Sequence, residues 1–224
     1  MSVETININD ENSKNSLNEF LQKEVDVIII KDFFDKALCM DVVSTMHDEL
    51  KHLPMRQRHD NWFYSIDVLP QKVQTSRIFR TWNSSSIEDI KEKPVSTLFK
   101  EMSEFQNQFI SSHDKMQSDM FIQPQIIHYP KGGGFFDWHY HPRFPVNYGL
   151  IVNLSEKNKH FFQGGTEIEC EDGSVIKVEE YSNIGDLILF KFDLKHRVAS
   201  CDPDEDLIFD KNGRWTAVLP ILPK

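Results

Sequence analysis

His128-Tyr129-Pro130-Lys131-Gly132-Gly133-Gly134-Phe135-Phe136-Asp137-Trp138-His139-Tyr140-His141-Pro142 is the densest stretch of the chain. It reads as strand, tight turn, strand, because three consecutive glycines permit a turn that bulkier residues resist. The same texture extends on both sides. Short β-like runs at Phe121–Tyr129, Phe135–His141, Tyr148–Leu154, Thr166–Cys170, Ser174–Val178, Asp186–Phe192, Arg197–Cys201 and Trp215–Leu222 are separated by Gly, Pro, Asn and Asp. About eight strands in ~100 residues, with no helical segment between them, predict an antiparallel sandwich or barrel of jelly-roll type.

Upstream the pattern is different. Residues 1–16 are rich in Asn, Ser, Glu and Asp and predict a flexible N-terminal segment. A short helix is expected from Leu17 to Lys23, then a buried strand over Val25–Ile30, which is mostly β-branched. A helix over about Lys36–His52 carries Leu38, Val42, Val43, Met46 and Leu50 at helical spacing, with Pro54 just past its end. Residues 55–90 show no clear period. A second helix, about Val95–Ser112, presents Leu98, Met102, Phe105 and Phe109 on one face. The expected organisation is a single domain over residues 17–224, mainly β with N-terminal helices. Residues 17–119 form a helical lead-in and substrate-side segment, and 120–224 form the β core.

Composition excludes several classes. The 224 residues include 25 Lys plus Arg against 35 Asp plus Glu, a formal charge of −10, which argues against nucleic acid as the main partner. No run approaches the ~18 apolar residues of a membrane span. Met1–Lys23 is polar and acidic, unlike a signal peptide. Cys39, Cys170 and Cys201 lie far apart without a CxxC pair, so the expected setting is a reducing cytoplasm.

Asp137, His139 and His141 alternate along one expected strand, so they should share a face within ~7 Å. Imidazole and carboxylate are the usual ligands of iron, manganese, copper or zinc. Two imidazoles inside a barrel are costly unless something satisfies them. His196 stands at the end of a later strand, where a barrel could bring it opposite His139. Taken singly, His47, His52, His59, His113 and His160 read as surface or hydrogen-bonded residues.

In this order, Tyr129, Gly132-Gly133-Gly134, His139-Tyr140-His141, Gly164-Gly165-Thr166, Gly185 through Phe190, His196-Arg197-Val198 and Arg214-Trp215-Thr216 resemble the Fe(II)/2-oxoglutarate dioxygenases, particularly the prolyl-hydroxylase-like branch. The resemblance covers most of the chain, including the strand and helix of Val27–Leu50. It implies a double-stranded β-helix, a cupin-like jelly roll packed against flanking helices. It implies Fe(II) as the metal, 2-oxoglutarate as cosubstrate, and oxidation of a C–H bond by molecular oxygen, with 2-oxoglutarate decarboxylated to succinate. Hydroxylation is the default outcome. His139 and His196 match the family's metal histidines. Arg214 matches the arginine that meets the distal carboxylate of 2-oxoglutarate, and Tyr129 a tyrosine that donates to the same cosubstrate.

One position departs from the pattern. The family's third ligand is a carboxylate two residues after the first histidine, and that slot is His141 here. Either His141 ligates, or Asp137 supplies a carboxylate, or the slot is vacant, as the family tolerates in its halogenases. We favour His141, which leaves the iron site one unit more positive.

Two further classes compete. A cupin-type metal dioxygenase without 2-oxoglutarate fits Gly133, five residues, then His139-x-His141. It lacks the glutamate expected near Phe144–Val146, has Gly185 eleven residues before His196, and leaves Arg214 without a task. The other is a non-catalytic jelly-roll binding module. The substrate is expected to be a small, anionic molecule. Lys51–Trp82 holds six basic and two acidic residues, with Trp62, Phe63, Tyr64, Phe79 and Trp82 interleaved. Arg77, Arg80, Trp82 and Asp137 are the candidate substrate contacts.

Overall fold

The computed structural model describes residues 3–7, 13–50, 62–67, 77–110, 120–141 and 146–223. Strand β1 (Val3–Asn7), helix α1 (Ser13–Gln22) and strand β2 (Val27–Lys31) form a β-α-β unit whose strands pair in parallel. Residues 3–7 are therefore not a loose tail. Their backbone completes the open edge of β2, and Ile6 buries its side chain. All of Val27–Ile30 is buried. Ile28 and Ile30 join a core shared with the helices, and Val27 and Ile29 join a second cluster with Ile168, Ile176 and Ile188. Burial on both faces is why this strand reads as an unbroken β-branched run.

Helix α2 (Lys36–Leu50) follows, then β3 (Trp62–Asp67), β4 (Arg77–Asn83) and α3 (Lys93–Phe105). β3 and β4 pair antiparallel within the stretch that shows no clear period in sequence. Phe79, Arg80, Thr81 and Trp82 are consecutive and all buried, so β4 shows no two-residue period. Residues 51–61 and 68–76, which carry much of the basic stretch, lie outside the described residues. In α3, Val95, Leu98, Phe99, Met102 and Phe105 form the buried stripe, and a π-helical turn, Gln106–Ile110, ends it.

The β core contains β5 (Met120–Ile122), β6 (Gln125–Tyr129), β7 (Gly134–His139), β8 (Tyr148–Asn153), β9 (Gly165–Glu169), β10 (Val175–Lys177), β11 (Leu187–Lys191), β12 (Lys195–Cys201), β13 (Arg214–Val218) and β14 (Ile221–Pro223). β5 and β14 pair separately. The rest belong to one twelve-stranded sheet ordered β1-β2-β11-β8-β13-β6-β4-β7-β12-β9-β10, with β3 alongside β4. Every ladder in it is antiparallel except β1 with β2. The sheet curls so that the segment after β7 meets the end of β11, where the His141 amide donates to the Phe192 carbonyl at 3.2 Å. This is the expected jelly roll with helices in front. In the glycine turn, Gly132 and Gly133 take φ of +79° and +109°, which side chains resist.

Asp186 ties the lead-in to the core. Its buried carboxylate accepts from Lys31 Nζ at 2.7 Å, the Asp32 amide at 2.9 Å and the Asn183 amide at 2.8 Å. Asp186→Ala should cost about 3 kcal/mol, measured by urea unfolding, because it strands those donors.

Candidate metal centre

His139 ends β7 and His196 lies near the start of β12, and the two are direct cross-strand partners. Their ring centroids are 4.2 Å apart, and His141 sits 5.1 Å from His139 and 5.2 Å from His196. One ligand nitrogen from each ring lies within 4.8 Å of the other two. His139 Nδ1 is 2.8 Å from the Asp137 carbonyl, and His196 Nδ1 is 2.8 Å from the Leu194 carbonyl. A carbonyl only accepts, so both protons sit on Nδ1, and Nε2 of each ring keeps its lone pair. Aromatic rings hold the imidazoles in place: Phe136 stacks on His139 at 3.8 Å and Phe192 on His141 at 4.5 Å.

Burial disfavours protonation at all three rings. It is the main cause that pushes His139 down to about 4 and His196 to about 3, and it lowers His141 as well. A proton on one ring would also repel a proton on the next. The site is therefore a cluster of neutral acceptors with too few donors between them. A divalent cation suits that donor set.

Asp137 is not part of it. The expected alternation breaks because His139 pairs with His196 but Phe136 pairs with Val198, so three steps on β7 match two on β12. This β-bulge puts Phe136 and His139 on the inner side and turns Asp137 outward. Asp137 is exposed, and its Oδ1 accepts from the Trp138 amide at 2.8 Å. Trp138 lies under the Arg197 guanidinium at 4.7 Å and Lys195 Nζ at 5.2 Å.

The three histidines line a cavity of about 370 Å³ inside the curled sheet. Tyr129, Thr166 and Arg214 line the same cavity. Arg214 opens β13 opposite Tyr129 on β6, with its guanidinium carbon 5.5 Å from the Tyr129 ring centre. Burial pushes the Tyr129 phenol up to about 12, so it is a neutral O–H donor. Arg214 Nη2 donates to Thr166 Oγ1, and Nε donates to Glu179 Oε1 at 2.7 Å. The Arg214 and Glu179 side chains are only 2% and 5% exposed. Nothing in the sequence distinguished Glu179. It follows β10 in a single 3-10 turn, Val178–Glu180, and stands behind the cavity wall, bonded to Thr166 and Arg214.

The remaining expected contacts lie elsewhere. Arg80 is fully buried, donating from Nε to His128 Nδ1 at 2.6 Å and from Nη2 to the Asp210 carbonyl at 2.9 Å. Its guanidinium also packs 5.1 Å from the Trp215 ring centre. Trp82 is core, stacked 6.2 Å from Phe99. Arg77 lies over Phe79 at 5.6 Å. None of these three, nor Asp137, lines the cavity, and among the described residues Arg214 is the only Lys or Arg that does.

No protein-family model matches the chain, and no curated protein matches it in sequence. Solved structures do match. A prolyl-4-hydroxylase from Pseudomonas putida is 13% identical, with a TM-score of 0.61 over 94% of this chain and 98% of that one. A prolyl hydroxylase from Trichoplax adhaerens, solved with a hypoxia inducible factor peptide fragment, is 15% identical, with a TM-score of 0.60 over 92% and 86%. A 2OG-Fe(II) oxygenase family oxidoreductase from Burkholderia pseudomallei is 12% identical, with a TM-score of 0.54 over 99% and 95%. This chain shares the jelly-roll fold of the prolyl hydroxylases and 2-oxoglutarate/Fe(II) oxygenases.

Proposed function

We propose that the protein is an Fe(II)- and 2-oxoglutarate-dependent oxygenase that oxidises a C–H bond of a small organic molecule, with hydroxylation as the default outcome. The observation that carries this reading is the shared cavity. Three converging imidazoles and the Arg214–Tyr129–Thr166 donor group line one cavity.

His139, His141 and His196 each give one nitrogen to the metal. Bound iron with 2-oxoglutarate supplies the oxidation by molecular oxygen, 2-oxoglutarate leaving as succinate and carbon dioxide. The protein's part is binding and orientation. Arg214 meets the distal carboxylate through its guanidinium, and the Tyr129 hydroxyl donates to the same anion. Phe136, Phe190, Phe192 and Val198 line the cavity and keep water away. With three neutral ligands, the protein leaves both charges of Fe(II) uncompensated. The keto acid end of 2-oxoglutarate would offset one of them, its distal carboxylate being held by Arg214. The basic stretch led to an anionic substrate, but the described cavity lining offers that substrate no cation beyond Arg214. We therefore assign its apolar wall to a hydrocarbon part of the substrate.

A cupin-type dioxygenase without 2-oxoglutarate is favoured by one observation: Arg214 already has a carboxylate partner in Glu179. Anaerobic addition of Fe(II) and 2-oxoglutarate separates the two. Our reading expects a weak visible charge-transfer band, and its absence favours the cupin. Arg214→Ala should raise the 2-oxoglutarate requirement about a hundredfold or more, since breaking a buried charged contact costs about 3–5 kcal/mol, while metal affinity stays close to normal.

Metal titration tests the third ligand. His141→Ala should weaken Fe(II) binding strongly and Asp137→Asn should not, whereas the reverse result would assign the third ligand to Asp137. Acid dependence follows from the lowered imidazoles. An exposed histidine gains its proton near 6.5, but His139 resists until about 4. Because burial lowers all three rings, bound metal should survive as pH falls through 6.5, where a cluster of exposed histidines would already release it, measured by equilibrium dialysis.

A further inference from the structure

We propose that Glu179 is a positioning residue for the carboxylate-binding end of the cavity. One buried carboxylate sets the geometry of both Arg214 and Thr166. This rests on the reading of Arg214 as the partner of a dicarboxylate cosubstrate and adds a residue to it.

The two oxygens of Glu179 do separate jobs. Oε1 accepts from Arg214 Nε at 2.7 Å, and Oε2 accepts from the Thr166 backbone amide at 2.7 Å. Arg214 Nη2 in turn donates to Thr166 Oγ1, which closes a ring of three residues from β9, the 3-10 turn and β13. Holding Nε from behind fixes the plane of the guanidinium. Among the described residues Nη1 has no partner, so that corner is free to meet an anion in the cavity. The Thr166 hydroxyl, having accepted from Nη2, keeps its own proton to donate.

The backbone accommodates this carboxylate. A Cβ on Gly165 would stand 2.3 Å from Glu179 Oε2, and Gly165 has φ of +116°. The Gly164-Gly165 pair thus leaves room for a carboxylate beside Thr166. Charge alone would have the opposite effect. Glu179 offsets the positive charge of Arg214, so removing that charge would by electrostatics alone tighten anion binding. Geometry predicts the reverse. An amide at position 179 has one acceptor and one donor group, and it faces two N–H donors. It satisfies one and repels the other, so either Arg214 or Thr166 shifts.

The test measures binding of two acids to the Fe(II)-loaded protein without oxygen, by isothermal titration. 2-Oxoglutarate and 2-oxopentanoate share the keto acid end, but only the first has a distal carboxylate. The wild type should prefer 2-oxoglutarate. Glu179→Gln should weaken 2-oxoglutarate about tenfold or more and leave 2-oxopentanoate within about twofold. Glu179→Asp keeps both acceptors on a shorter stem and should fall between. Unchanged or tighter 2-oxoglutarate binding in Glu179→Gln overturns the proposal, as does a parallel loss of both acids in the two variants. A wild type that shows no preference between the acids overturns the cosubstrate reading itself.

Discussion

The ladder between β7 and β12 slips by one residue between the His139–His196 pair and the Phe136–Val198 pair, and the imidazole end of the cavity depends on that slip. Without it, Asp137 and His139 would point the same way. With it, Asp137 turns to solvent, and its backbone carbonyl accepts the His139 Nδ1 proton. The bulge thus removes a carboxylate from the inner face and fixes the tautomer of the histidine that stays. His196 repeats the arrangement two residues after Leu194. Each ring is held by the main chain behind it, which costs little side-chain entropy and leaves Nε2 facing its neighbours.

Electrostatics divide the cavity in two. At one end are three imidazoles that burial keeps neutral. At the other is a buried arginine whose charge is matched by Glu179. Neither end carries an uncompensated charge of its own, which is how polar groups survive among Phe136, Phe190 and Phe192. Groups of such different kinds share one wall because the sheet curls. Arg214 and Tyr129 come from neighbouring strands β13 and β6, His139 and His196 from β7 and β12, and His141 from the segment just past β7.

The lead-in supports this arrangement from outside. β2 pairs with β11, whose other neighbour is β8, so Ile28 and Ile30 bind the helices to the sheet while Val27 and Ile29 face the inner cluster. Asp186 closes the same joint with hydrogen bonds from three donors. Arg80 is part of this framework as well. Its guanidinium is committed to His128, the Asp210 carbonyl and the Trp215 ring, which accounts for a buried arginine without a ligand.

Much of this was legible in the chain. Short β runs after Met120, the triple glycine, the His139-x-His141 pair and the apolar stripes of α2 and α3 are local signals, and local sterics and periodicity make them readable. Strands buried on both faces were harder. β2 showed itself through its β-branched run, whereas β4 mixes Arg80 and Thr81 with Phe79 and Trp82 and shows no pattern. Charge gave no position either: Arg80 looks like any other cation of the basic stretch, because composition cannot show partners brought from positions 128 and 210. Sequence alone determined the fold class and which histidines to examine, since both follow from residue type and spacing. The outward turn of Asp137 and the capture of Arg214 by Glu179 were decided only in three dimensions. A bulge is a mismatch between two strands, and an ion pair across 35 residues forms only when the sheet closes.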